Sequence, residues 1–155
     1  MVRGSGDKKM AGAKKINEKK ELVIDASVAV KWFNPELLSA EALELRSLHV
    51  SDQVHFYAPE LFLYEVINAL RWNPEFNKNN VLDASKSLID IMISYRKILP
   101  EEALEIAYKY DLTVYDASYI ALARNLGSIL ITADDKLRKQ VKGEKCIVAL
   151  NDYFS

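Results

Sequence analysis

The sequence predicts an α/β fold, a three-layer α/β/α sandwich with a mainly parallel central sheet. Two observations carry this. Short apolar runs such as Leu22-Val-Ile24 and Ile129-Leu-Ile131 are continuous rather than alternating, as in strands covered on both faces. Longer stretches with apolar residues at spacings of three and four separate them, so strands and helices alternate and neighbouring strands run parallel. With 155 residues, half of them apolar, the chain fits one domain with a core on each side of a sheet.

The first strand is expected over 22–25, ending in Asp25. Val28 to Phe33 reads as a short helix, stopped near Asn34-Pro35 because the residue before a proline avoids the helical region. Ser39 opens a helix to Val50, with Glu41 and Glu44 near its positive end. Val54 to Tyr57 is a second strand. Pro59 then opens a helix over 60–72, since its missing N–H would be unpaired in a first turn. The polar segment 73–80 is expected to be a loop.

The clearest helix lies over 81–95, where Val81, Ala84, Leu88, Ile91 and Tyr95 recur and Leu82, Ile89 and Met92 widen the stripe. So broad a face suits burial on two sides or a subunit interface. Pro100 opens a helix with Glu101 and Glu102 in its first turn. Asp116 to Asn125 is another, with Gly127 as its C-terminal cap. A strand over 128–132, a short helix over 135–140 and a strand over 146–150 complete the chain. No internal repeat or low-complexity segment interrupts 22–155, which reads as one domain.

Charge is unevenly placed. The formal total is −1, but residues 1–21 carry seven basic groups and three acids, leaving 14 basic and 19 acidic residues in 22–155, a net of −5. Residues 1–21 read as a basic, flexible N-terminal extension or a remnant of expression-vector sequence, with nucleic-acid contact as the other reading. A body this acidic does not grip DNA along a broad basic face; any polyanion would need metal ions and a few local cations. Cys146 is alone, which excludes an intrachain disulfide framework and reads as a buried core thiol. No secretory signal and no membrane-length apolar window is present, and cytoplasmic residence is expected.

Two acids fall at the edge where open parallel sheets bind ligands: Asp25 ends the first strand and Asp134 lies just past the 128–132 strand. Either could cap the helix that follows, as could Asp116. Glu65 is harder to explain structurally, being one turn from both Leu61 and Ala69 on a largely apolar stripe, with Asn68 three residues on. A carboxylate there needs a partner or a metal, and its own helix offers no cation within a turn. Clustered carboxylates repel, and Mg²⁺ or Mn²⁺, hard ions that suit oxygen ligands and substrate phosphates, would resolve the conflict. One cysteine with His49 and His55 gives no zinc spacing. The chain lacks the glycine-rich loops of dinucleotide and nucleoside-triphosphate sites and the G-x-S-x-G nucleophile turn.

Four segments, Val23-Ile-Asp-Ala-Ser-Val28, Pro59-Glu-Leu-Phe-Leu-Tyr-Glu-Val-Ile-Asn68, Leu112-Thr-Val-Tyr-Asp-Ala-Ser-Tyr-Ile-Ala-Leu122 and Leu130-Ile-Thr-Ala-Asp-Asp-Lys-Leu137, stand in the order and spacing of the PIN-domain family. Together they resemble its VapC-like toxin branch. The resemblance implies a PIN-like α/β/α fold and a catalytic, metal-binding set of Asp25, Glu65, Asp116 and Asp134. Ser27 and Thr132 match hydroxyl residues that steady such a site, and Asn68 matches a polar neighbour of the glutamate. Asp135, adjacent to Asp134, is a further candidate ligand and makes the fourth position the least secure.

The same resemblance implies a Mg²⁺- or Mn²⁺-dependent endoribonuclease that leaves a 5′-phosphate and a 3′-hydroxyl, works as a homodimer, and is silenced by a cognate antitoxin. The 81–95 stripe and the pair Trp32-Phe33 are candidates for self-association or antitoxin contact, with core packing as the plainer reading. Three alternatives stay open: an RNA-binding or regulatory module that does not cut, a nuclease directed at DNA, and a small-ester phosphatase.

Overall fold

The computed structural model describes residues 19–155. Most of the basic N-terminal extension expected from the sequence lies outside them. Strand β1 (Lys20–Ile24) is followed by α1 (Ala26–Phe33), α2 (Ser39–Val50), β2 (Val54–Pro59), α3 (Phe62–Trp72), α4 (Lys78–Asp90) and β3 (Ser94–Arg96). The chain continues through α5 (Pro100–Tyr110), α6 (Val114–Leu126), β4 (Ile129–Thr132), α7 (Asp135–Gln140), β5 (Ile147–Ala149) and α8 (Leu150–Tyr153).

The strands form a five-stranded sheet in the order β3-β2-β1-β4-β5, and every neighbouring pair is parallel. The chain steps outward from β1 to β3, then returns past β1 to β4. Right-handed crossovers therefore carry α1–α4 over one face and α5–α7 over the other. The reversal puts a crevice between the C-terminal ends of β1 and β4, paired through Leu22↔Ile129, Val23↔Leu130 and Ile24↔Ile131. The expected sandwich is the observed one.

Burial follows from that order. Leu22, Val23 and Ile24 on the central strand have no exposed surface, because helices cover both its faces. Helix α6 lies across β1, β2 and β4 with α5 packed on it, and its residues 117–123 are all buried. Full burial of such an aliphatic side chain contributes about 1.5–3 kcal/mol, so β1 anchors the sheet and holds its C-terminal end rigidly.

Several boundaries differ from expectation for local reasons. The 81–95 stripe is not one helix. Asn77 and Asn80 exchange side-chain-to-backbone hydrogen bonds in a capping box, so α4 starts at Lys78, inside the expected loop. It stops at Asp90, and Met92 adopts a left-handed φ of 64° that turns the chain into β3. Tyr95 then pairs with Ala58 in the sheet instead of continuing a helix face. Ala84 and Leu88 are the buried part of the stripe, while Leu82, Ile89 and Met92 remain exposed.

Pro59 closes β2 opposite Arg96 rather than opening a helix, and α3 begins at Phe62. Helix α1 begins two residues early, at Ala26, and α6 begins at Val114 rather than Asp116, because Thr113 supplies the cap. The first strand takes in Lys20 and Glu21, two residues expected to belong to the extension. Cys146 is half-buried before β5 and donates to Glu144 at 3.3 Å, so it is not a core thiol. Trp32 is core: its indole N–H donates to the Ala42 carbonyl at 2.8 Å and its ring stacks on Phe56.

Candidate active site

Asp25 is the first residue beyond β1, and its N–H reaches across the crevice to the Ile131 carbonyl at 3.0 Å. It occupies the N-cap position of α1, yet its carboxylate makes no capping bond. Instead Oδ2 accepts from the hydroxyls of Ser27 and Thr132, each at 2.7 Å. Those hydroxyls in turn accept backbone N–H groups, Ser27 from Ala133 and Thr132 from Asp134, each at 3.0 Å. The network ties the start of α1 to the exit of β4. It fixes one face of a buried carboxylate and also satisfies both hydroxyls.

Glu65 projects from the first turn of α3 and is half-buried. Its Oε1 accepts from the phenol of Tyr119 at 2.8 Å. Tyr119 is fully buried on α6, three residues beyond Asp116, so it faces the same side of the helix. Sequence reasoning missed Tyr119, and that spacing was the signal for it. Asn68, expected beside the glutamate, is exposed on the next turn of the same groove, and the observed partner of Glu65 is Tyr119.

Asp116 sits in the first turn of α6 but does not cap it. Thr113 does so, its hydroxyl accepting from the Asp116 N–H at 3.0 Å and steadying the Asp116 carboxylate. Asp134 does cap α7, accepting from the Leu137 N–H at 3.0 Å, so one of its oxygens serves the helix. Asp135 is exposed and faces Arg138 at 3.6 Å on the surface of α7. His49 and His55 serve structure: His49 is buried, accepting from the Phe56 N–H at Nδ1 and donating from Nε2 to Ile91, and His55 bonds Ser94.

The four acids come from different elements, and Asp25 and Asp116 each feel the charge of others in the set, with Glu65 on one side and Asp134 on the other. Burial raises the proton affinity of Asp25 despite its two hydroxyl donors, and repulsion from Asp116 and Asp134 adds to it. Burial, with repulsion from Asp25 and Asp116, pushes Glu65 up to about 7 against the pull of the Tyr119 hydrogen bond. Asp116 is raised by burial and by Asp134, with a hydrogen bond from Thr113 and then the charge of Lys136 partly opposing. None of the four is ion-paired among the described residues.

An all-oxygen set short of positive charge suits a hard divalent cation. Among the described residues, however, no three such side chains stand close enough to hold a metal ion together. Mg²⁺ is the hard ion that asks least of the protein, since it keeps several waters and takes one or two carboxylates together with substrate phosphate oxygens. Beside the cluster, α3 and α4 enclose a groove of about 1030 Å³, lined by Glu65 itself together with Tyr64, Asn68, Arg71 and Lys78, and by Tyr115 from α6.

The PIN domain family matches residues 22–142, a span that contains all four acids. Over 128 residues the chain is 31% identical to Ribonuclease VapC3 of Pyrobaculum aerophilum, an alignment covering 77% of this chain and 94% of that protein. It is 34% identical over 87 residues to Exonuclease VapC9 of the same organism, covering 54% of this chain and 65% of the relative. A toxin–antitoxin complex from Klebsiella pneumoniae shares the fold with a TM-score of 0.62 at 17% identity, over 83% of this chain and 97% of that one. Family match, identity and fold agree: the chain belongs to the PIN-domain family, in its VapC-like branch.

Proposed function

We propose that this protein is a Mg²⁺- or Mn²⁺-dependent endoribonuclease, the toxin of a two-protein toxin–antitoxin pair, with Asp25, Glu65, Asp116 and Asp134 as its catalytic set. The observation that carries the reading is the approach of these acids to the β1/β4 crevice with no ion pair among the described residues and with the proton affinity of Asp25, Glu65 and Asp116 raised. The name of the relative Ribonuclease VapC3 supports RNA as the substrate.

A bound Mg²⁺ or Mn²⁺ would supply the positive charge that draws a phosphodiester to the acids and makes a water acidic enough to attack in line. Asp25 would hold its place in such a site through Ser27 and Thr132, which orient it before substrate arrives. Glu65, poised near neutrality and steered by Tyr119, can hold or release a proton beside the reacting phosphate. Asp116 faces Asp25 and Asp134 with Thr113 beside it, while Asp134 would contribute with the oxygen its helix cap leaves available. Asp135, exposed and beside Arg138, stands as an outer candidate only.

In the same reading the protein acts in the cytoplasm as a homodimer silenced by an antitoxin. The exposed Leu82 and Ile89 of α4, with Met92 beyond it, provide apolar surface for such contacts. No helix among the described residues is long and apolar enough to cross a membrane.

Purified protein incubated with covalently circular RNA and Mn²⁺ tests the activity, because a circle has no end for an exonuclease to enter. Cutting that stops with chelator and is abolished in Asp116→Asn is expected. Undiminished cutting by that variant would remove the acids from the chemistry, and an intact circle beside a degraded linear RNA would make the enzyme an exonuclease like the name of its VapC9 relative.

A further inference from the structure

Three acids of the cluster are each held at one oxygen by a fixed donor. Asp25 is held at Oδ2 by Ser27 and Thr132, and Asp134 at Oδ1 by the Leu137 N–H. Glu65 needs such a donor most, because its side chain has one more rotatable bond than an aspartate and is only half-buried. Among the described residues its donor is the Tyr119 phenol, 2.8 Å from Oε1, which leaves Oε2 free. Tyr119 has no exposed surface and lies in a stretch of α6 buried from 117 to 123, so its ring is fixed in place. The backbone N–H of Ala26, next to Asp25, reaches the same hydroxyl, which directs the single phenolic proton toward Glu65. Burial, then the charges of Asp25 and Glu65, raise the proton affinity of the phenol, so that proton stays where it is. Packing asks only for the ring: phenylalanine would fill the same space without a buried hydroxyl to satisfy.

From this geometry we infer that Tyr119 is a positioning residue for the reaction: its hydroxyl pins Oε1 of Glu65 and so presents Oε2 to the divalent ion that the acids attract. The inference rests on the metal-dependent nuclease reading of the cluster. Tyr119 acts through Glu65 alone and meets neither the metal nor the phosphate. Because the phenol also meets the start of α1, directly after Asp25, one rigid group on α6 bridges the helix that carries Glu65 and the strand end that carries Asp25. Without the hydroxyl, Glu65 keeps its charge and loses its direction. Binding a cation then has to order that side chain as well, an entropic cost that lowers affinity. The loss falls on the metal and not on the fold, since the ring of a phenylalanine preserves the packing of α6.

Titration with Mn²⁺, followed by the electron paramagnetic resonance of the free ion, tests the inference without relying on turnover. Tyr119→Phe is expected to weaken Mn²⁺ binding about tenfold, the scale of loss when the partner behind a metal ligand is removed, while unfolding in urea as cooperatively as the wild type. In a Glu65→Ala background the same change is expected to weaken binding no further, because the carboxylate it directs is gone. Excess Mn²⁺ is expected to restore most of the RNA cutting that Tyr119→Phe loses, since the ion itself then draws Glu65 into place. Wild-type Mn²⁺ affinity in Tyr119→Phe would overturn the inference, as would loss of its cooperative unfolding. An equal loss of affinity in both backgrounds would also overturn it, by making the hydroxyl a support of the whole crevice. Each of these results leaves the nuclease reading intact, whereas a wild type that binds no Mn²⁺ would overturn the inference and the metal-dependent reading together.

Discussion

Glu65 shows how a single side chain carries information in two directions. Its proton affinity is raised from the ordinary 4.5 to about 7, chiefly by burial. Between those values the metal-free folded state holds a proton that the unfolded chain has released. The contribution of Glu65 to stability is therefore greatest below about pH 4.5, falls as pH rises toward 7, and is level above that. Glu65→Gln keeps the oxygen that accepts from Tyr119 and removes the titration. In chelator the variant is expected to match the wild type near pH 4.5 and to exceed it by about 1 kcal/mol at pH 8, after discounting for solvent screening. Urea unfolding of both proteins across that range checks it, and a difference between them that does not grow toward pH 8 would contradict the burial of this carboxylate. Read singly, Asp25, Asp116 and Asp134 could each be a helix cap, as Asp134 is, and only Glu65 stands out on an apolar stripe; the family resemblance joins the four. Tyr119 was not legible, because a tyrosine in a buried helix looks like core until its hydroxyl is seen to meet Glu65.

Among the elements, the sheet's far side depends on one side chain. Glu144, in the loop before β5, accepts from Arg124 of α6 at 2.5 and 3.2 Å and from Tyr110 of α5 at 2.7 Å. These donors, Arg124 first, hold its carboxyl down at about 2. A depressed carboxylate contributes stability above its unfolded value, here 4.5, and loses it as pH falls through 2. Glu144→Gln is expected to cost about 1–2 kcal/mol at pH 7, discounted for the exposure of Arg124, with the difference shrinking between pH 4.5 and 2 in thermal melts. An equal cost at both ends of that range would mean that packing and not the ion pair is at work.

Most elements could be read from the apolar pattern, because β1 and β4 are continuous apolar runs and α5 and α6 carry clear start and stop residues. Strand β3 could not. Its Tyr95 continues the three-and-four spacing of Ile91 and Leu88, and only the left-handed turn at Met92 and pairing with β2 convert it to a strand. Nor could the start of α4, where two asparagines in a polar segment look like a loop until each is seen capping the other.

At the scale of the whole molecule, topology gathers the site. Because the chain reverses direction between β1 and β4, Asp25 and Asp134 reach the same crevice from opposite ends of the sequence. Helices α3 and α6, from opposite layers, then add Glu65 and Asp116. The cost is a knot of like charge in a body already at −5, so a divalent cation should bind the folded state and stabilise it. The most direct test is thermal unfolding of the wild type, Asp25→Asn and Asp116→Asn with and without Mn²⁺. At a hundred times its dissociation constant Mn²⁺ is expected to raise the wild-type Tm by about 5–10 °C and to leave both variants nearly unmoved. An equal rise in all three proteins, or none in the wild type, would mean that these acids do not share a metal.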